Sequence, residues 1–376
     1  MFKKYPGVID ITEVLMNEHN YLFDGNLEKF YKQPFIELEG NGVTAMCWIK
    51  VKDDSYLFKP INEPLYNVWG ELLSEEFAKK LDIPCAEYRL AQFDGKLGVI
   101  TKQILKEDER LILGCEVFQE FLNEYFSPKN DKKTTEMYQI SDEILTYDAY
   151  HQKRYLFNHF NNIEQIWAIL DKNKKISSED KTKIIQDMIK LLLFDIITIQ
   201  GDRHPNNWAL KTDGKTYQLS PIFDNATSFG LCFPNMQNRI NNFRNDYMNH
   251  RHFNDIEKIN KTIYQSRPNL TLSEDNIIEV TTRKKDSSIK VLDDLLKKSD
   301  ENWQNKIIEL SKKINIDLLD EIIEKVERKN GLTMDGEIYS YIRSVFEIHL
   351  ENINTILNKY QKGSEKDESN ANIRRI

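Results

Sequence analysis

The sequence predicts an α+β chain of two lobes: a small antiparallel sheet with one helix, then a larger, mainly helical lobe. Three observations carry this expectation. Short aromatic and β-branched runs fill residues 34–105, one helical stripe interrupts them, and six apolar stripes at 3.6-residue spacing follow. The expected boundaries are 1–105 for the sheet lobe, 106–360 for the helical lobe, and 361–376 for a tail. That tail, "QKGSEKDESNANIRRI" from Gln361, is nearly free of apolar residues and is expected to be disordered.

In chain order, "AMCWIKV" (45–51), "SYLFKP" (55–60), "AEYRLAQF" (86–93) and "KLGVITKQI" (96–104) read as strands separated by "KDD" and "DG" turn signals. "NVWGELLSEEFAKKLDIP" between them places Val68, Leu72, Leu73, Phe77 and Leu81 on one helix face, and Pro84 follows its end. Beyond residue 106, the segments "GCEVFQEFLNEYF", "TKIIQDMIKLLLFDIITIQ", "SIKVLDDLLKKS", "WQNKIIELSKKI", "LLDEIIEKVERK" and "YIRSVFEIHLENINTILNKY" read as amphipathic helices. "SPKNDKKTTE" and "DKNKKISSEDK" read as surface loops.

Composition narrows the function. The chain has 376 residues, 40% hydrophobic and 30% charged, with a net charge of −8. That charge argues against a broad nucleic-acid footprint, so no specific nucleic-acid partner is expected. Cys47, Cys85, Cys115 and Cys232 form no CxxC pair, which favours reduced thiols and a cytoplasmic setting; secretion as an effector stays compatible with the sequence. The histidines show no HExxH spacing, and His250 and His252 read as part of a solvated loop. "MIKLLLFDIITI" falls short of the ~20 residues a membrane span needs and carries Lys190 and Asp195, so no span is expected.

The chemistry gathers in "IQGDRHPNNWAL" (199–210), directly after the most apolar helix, which is expected to end at Gly201. Asp213-Gly214 between "WALKT" and "KTYQL" predicts a tight hairpin. Asn207 at its start and Asp224 beyond its end then share the open end, near Asp202. A carboxylate to orient a hydroxyl, with a carboxamide and a second carboxylate as oxygen ligands for magnesium, is the inventory of phosphoryl transfer. Asp202-Arg-His-Pro-Asn-Asn207 followed by Asp224 follows the logic of protein-kinase catalytic loops. It differs in placing His204 after the Asp and in reading Phe223-Asp224-Asn225 where Asp-Phe-Gly is usual.

A kinase-like small lobe also needs a phosphate lid, a lysine and a helical glutamate. "EGNGVT" supplies Gly40 and Gly42, where backbone can approach phosphate closely. Lys59 ends a strand, and Glu71 opens the lobe's helix with Glu75 and Glu76 as competitors. Glu75, at i+4, shares Glu71's face, whereas Glu76 is rotated away.

These residues together resemble the HipA-like serine/threonine protein kinases of bacteria, in their compact, stand-alone kind, over roughly residues 38–350. "YLFKP", "GELLSEEFAKKLDIP", "GDRHPNNW" and "LSPIFDN" carry the resemblance. It implies a two-lobed protein-kinase-like fold that binds ATP and magnesium and phosphorylates protein serine or threonine. It further implies Asp202 as catalytic base, Asn207 and Asp224 as catalytic magnesium ligands, Lys59 on the ATP phosphates, and Glu71 as its ion-pair partner. Gly40, Gly42, Gln103 and His204 complete the nucleotide-site candidates. Thr44, two residues after Gly42, is a candidate for autophosphorylation. An antitoxin partner is compatible with the family but not implied, because the N-terminal subdomain of full-length HipA is expected to be missing or reduced to about 35 residues. A lipid or small-molecule kinase, for which "TTRKKDSSIK" (281–290) is the one basic cluster, and an inactive kinase-like binding module are the alternatives.

Overall fold

The computed structural model describes residues 9–10, 47–51, 54–60, 66–93, 96–125, 157, 160–231, 270–272, 277–279, 284–285 and 287–373. Gly40, Gly42, Thr44, Cys232, His250 and His252 lie outside these described residues.

The first lobe is built from β1 (Ile9–Asp10), β2 (Cys47–Val51), β3 (Asp54–Pro60), α1 (Tyr66–Lys80), β4 (Tyr88–Phe93) and β5 (Lys96–Lys102). The strands lie in the order β1-β4-β5-β3-β2. Neighbours are antiparallel except at the β1 edge, where Ile9 and Asp10 run parallel to Ala91 and Gln92. A two-residue strand offers no alternation to read, so this parallel edge was not expected. Lys59 sits opposite Val99 on the central pair β3–β5.

Helix α1 is buried almost all round, from Val68 to Ala78. A helix that only covered a sheet would bury one face. Here the second face meets the helical lobe. Phe77 packs on Phe229 at 5.2 Å and on Phe346 at 5.4 Å between ring centroids, and those two rings are 5.9 Å apart. Gly70 permits the closest approach, because a Cβ there would lie 2.3 Å from the Ala226 carbonyl oxygen.

The chain continues through β6 (Arg110–Leu113), α2 (Gly114–Tyr125), α3 (Ile163–Lys172), α4 (Ser178–Ile197), β7 (Ala209–Thr212) and β8 (Tyr217–Leu219). Strands β6-β7-β8 form an antiparallel sheet. Neither β6 nor α3 was among the expected elements. The first is a four-residue run, and the second needs the Asn162 cap, whose side chain accepts from the Gln165 N–H. The loop expected at "DKNKKISSEDK" is shorter, because Ser177 caps α4 and accepts from the Asp180 N–H. The β7–β8 connection spans four residues rather than two. Asp213 Oδ1 accepts from the Lys215 and Thr216 N–H groups, and Gly214 adopts φ 88°.

The exit of α4 also departs from expectation. The helix ends at Ile197 rather than at Gly201. Gln200 N–H bonds Asp195 O and Ile199 N–H bonds Ile196 O, the pairing of a Schellman turn. Ile199 therefore takes the left-handed φ of 58° that usually falls to glycine, a strained choice for a β-branched residue.

The remainder comprises β9 (Ile277–Glu279), β10 (Lys284–Lys285), α5 (Ser288–Lys298), α6 (Glu301–Lys312), α7 (Ile316–Asn330) and α8 (Gly336–Ile373). Ser287, Asp300 and Asn315 cap α5, α6 and α7. Helix α8 runs on through most of the 361–376 segment expected to be disordered. Among the described residues no helix is long and apolar enough to cross a membrane.

Candidate active site

The loop after α4 is organised by a buried ion pair. Asp195 lies on α4 among Leu192, Leu193, Phe194 and Ile196, wholly buried. Such a carboxylate needs a partner, and Arg203 provides it. Its Nε and Nη2 donate to Asp195 at 2.9–3.3 Å, and both residues are sealed from solvent. The other guanidinium donors reach Asn207 O at 2.8 Å, Phe223 O at 2.7 Å and Asn225 Oδ1 at 2.6 Å. One side chain thus joins the loop carrying Asp202 and Asn207 to the segment carrying Asp224. Burial raises the Asp195 pKa despite Arg203. For Arg203 itself burial pulls the pKa down, yet Asp195 outweighs it and the guanidinium is held above its usual value.

Asn207 is fixed within its loop. Its amide nitrogen donates to Asp202 O at 2.7 Å, and its backbone N–H donates to His204 O. The amide orientation leaves the carboxamide oxygen for a ligand. His204 Nε2 stands 4.0 Å from Asp202 Oδ2. Burial raises the Asp202 pKa, opposed by His204, while the Asp224 charge raises it further.

Asp224 is held through its backbone. Its φ of 56° lies in the left-handed region. Its N–H donates to the Tyr88 hydroxyl at 3.2 Å, and its carbonyl accepts from Gln200 Nε2 at 3.3 Å. The next N–H, of Asn225, donates to Glu71 Oε2 at 2.8 Å. Glu71 can reach it because Gly70 lets α1 lie against Ala226.

Lys59 completes the cluster from the small lobe, 2.5 Å from Asp224 Oδ1 and 3.7 Å from Glu71 Oε1. Burial depresses the Lys59 pKa, but Asp224 and Glu71 together outweigh it and raise it. Asp224 shows the same balance: burial pushes its pKa up, yet Lys59 prevails and holds it down. Glu71 is pushed up to about 7 by burial, against the opposing pull of Lys59.

The structure thus brings Lys59, Glu71, Asp202, His204, Asn207 and Asp224 into one cluster. Of the three candidate glutamates, Glu71 faces Lys59. Glu75 and Glu76 both pair with Lys79 and Lys329 instead. Gln103 is not brought in. Its side chain is exposed past the end of β5, four residues beyond Val99, a span of about 13 Å along a strand. Arg203, Asp195, Gln200, Tyr88 and Asn225 are site-building residues that the motif reading left unassigned. One signal was present: an aspartate inside an apolar helix, eight residues before an arginine.

The donor set fits magnesium bound together with phosphate. Among the described residues no group of three or more His, Cys, Asp or Glu side chains could hold a metal alone. Magnesium, however, commonly takes only one or two protein carboxylates beside phosphate oxygens. A cation on Asp224 would also drive the Lys59 ammonium towards Glu71 Oε1, a buried oxygen with no hydrogen-bond partner.

A family model for the HipA-like C-terminal domain matches residues 36–303. Among solved structures, the Helicobacter pylori proinflammatory kinase CtkA has the same fold. It superposes with a TM-score of 0.58 at 15% identity, covering 95% of this chain and 99% of that one. HipA from the Shewanella oneidensis MR-1 toxin–antitoxin complex with HipB and operator DNA gives 0.49 at 9% identity, covering 88% and 72%. No curated protein matches the chain.

Proposed function

The chain belongs to the HipA-like C-terminal domain family, and from that premise we propose that it is an ATP- and magnesium-dependent kinase of protein serine and threonine hydroxyls. One observation carries the reading. Lys59 and Glu71 from the sheet lobe meet Asp224 from the helical lobe, beside a loop holding Asp202 and Asn207. Two lobes contributing opposite charges to one cluster is what nucleotide phosphates and their metal require.

When bound, ATP supplies the transferred phosphoryl group and magnesium neutralises phosphate charge. Asp224 and the Asn207 carboxamide oxygen would hold the magnesium. Lys59 would bind phosphate oxygens, kept in the cleft by Glu71. Asp202, half-exposed and with its pKa raised chiefly by burial, would orient the acceptor hydroxyl and take its proton. His204 beside it would favour the ionised carboxylate. Gly40 and Gly42 are assigned to the phosphate lid, and Thr44 to autophosphorylation. Protein acceptors are favoured over lipid because the net charge is −8, which offers anionic membranes little attraction.

The test is incubation with labelled ATP and magnesium against protein, lipid and aminoglycoside-like acceptors. Label should enter protein hydroxyls, and Asp224→Ala should abolish transfer while leaving the melting temperature near wild type. Full activity in Asp224→Ala would remove the metal role from this residue and the reading with it.

A further inference from the structure

The geometry points to Gln200 as a positioning residue that sets the spacing between Asp202 and Asp224; this assignment rests on the phosphotransferase reading above. Gln200 is 1% exposed, and both polar atoms of its carboxamide are engaged. Oε1 accepts from the Asp202 N–H at 3.0 Å and from the Thr227 hydroxyl. Nε2 donates to Asp224 O at 3.3 Å. One rigid planar group therefore bonds the backbones of both the proton acceptor and the metal ligand, from within the same turn.

The bridge must accept from an N–H and donate to a carbonyl through one short side chain. A carboxamide does this with two separate atoms, an oxygen that takes two donors and a nitrogen that donates. A carboxylate keeps the acceptor half and turns negative charge on Asp224 O; a thioether supplies neither well. The backbone around Gln200 points the same way. Ile199 immediately before it takes φ 58°, and Asp224 at the other end of the bridge takes φ 56°. One non-glycine residue held left-handed beside the bridging residue and another at the bridge's far end mark a site whose surroundings over-determine its geometry. Gln200's own N–H anchors the turn to Asp195 O at 2.8 Å, so the bridge stands on the same helix residue that holds Arg203.

The consequence falls on the chemical step. Misplacing reacting groups by about 1 Å costs on the order of 10²-fold in rate. The experiment measures transfer from labelled ATP to casein, a generic serine/threonine acceptor, in Gln200→Glu and Gln200→Met, each alone and combined with Asp202→Asn. Turnover should fall by about 10–100-fold in the single variants, with the KM for ATP within about threefold. In the Asp202→Asn background the same changes should cost at least about fivefold less, because the spacing between base and metal ligand matters only while the base is present. A structural defect would give equal losses in both backgrounds, and that result would overturn the proposal, as would unchanged turnover. Where both Gln200 variants lose cooperative melting, Thr227→Val answers instead. It loosens only the carboxamide, and its smaller loss should shrink in the same background or the proposal fails. Asp224→Ala runs alongside: if it retains transfer, the kinase reading falls; if it is inactive while Gln200 losses are equal in both backgrounds, only the role of Gln200 falls.

Discussion

Arg203→Met tests the frame on which the site is built. The guanidinium has five N–H donors, and all point at acceptors: two carboxylate oxygens of Asp195, the carbonyls of Asn207 and Phe223, and Asn225 Oδ1. Methionine approximates the volume and removes every donor. Breaking a buried ion pair from one side costs about 3–5 kcal/mol, because the remaining charge is left uncompensated. Against a typical domain stability of ~5–15 kcal/mol, the variant should fold but melt early. The pH dependence makes the test sharper. Burial already raises the Asp195 pKa with Arg203 present, and without it the folded pKa rises further above the unfolded value. A raised folded pKa gives stability that is present at low pH and lost as pH rises through it. The deficit of Arg203→Met relative to wild type should therefore grow as pH rises above the unfolded aspartate value of about 3.9, and Asp195→Asn in the same chain should flatten it. Urea unfolding followed by circular dichroism across that range reads both. A deficit below about 1 kcal/mol, or one independent of pH, would refute the claim that Arg203 neutralises a buried Asp195.

Other outcomes follow from single contacts. Asp202→Asn should lower turnover by roughly 10²–10⁴-fold with little change in ATP affinity; collapsed affinity with surviving turnover would make Asp202 a binding residue. Gly70→Ala places a methyl group 2.3 Å from the Ala226 carbonyl, so α1 must retreat, at about 1–3 kcal/mol as in other overpacked sites; an unchanged melting temperature would contradict the close approach. Glu71→Gln probes the pKa of about 7. A folded pKa above the unfolded ~4.5 means wild type loses stability from Glu71 as pH rises from about 4.5 to 7. The glutamine variant should gain on wild type across that window in urea midpoints, and parallel curves would place the ionisation elsewhere.

What the sequence disclosed follows from what is local. β3, α1, β4, β5 and most later helices were legible because their apolar periodicity is written in consecutive residues. Lys59, Asp202, Asn207 and Asp224 could be singled out because their order and spacing belong to one chemical inventory, and Glu71 only as one of two glutamates on the same helix face. What was hidden depends on partners far apart in the chain. The β1 edge is two residues whose partner lies some eighty residues away. The choice between Glu71 and Glu75 could not be made from helix phase, since it rests on Lys329 of a distant helix. Gln200 and Tyr88 contribute by bonding backbone atoms of Asp224, and no motif records which side chain holds another residue's carbonyl. The end of α4 misled for a related reason. A glycine was present two residues beyond the turn, but the bonding pattern placed Ile199 in the left-handed position.

The physical unit also reaches past the family-matched segment. That match ends at residue 303, whereas α1 is held by α7 and α8, which begin at Ile316 and Gly336. Glu75 is completely buried, yet Lys329 approaches it to 2.7 Å, and Lys325 approaches the buried Glu76 to 2.6 Å. Asn330 Oδ1 accepts from the Leu90 N–H of β4, so the end of α7 grips the sheet as well as the helix. Phe346 of α8 closes the aromatic trio with Phe77 and Phe229. A carboxylate with no exposure would be costly without such partners. Two adjacent buried glutamates on α1 share Lys79 of their own helix, and docked α7 adds Lys325 and Lys329. Since Glu71 sits one turn earlier on that same helix, the docking that helps neutralise Glu75 and Glu76 also fixes where Glu71 meets Lys59. In this chain the place where Glu71 meets Lys59 is set by helices far beyond the segment that contains the lysine.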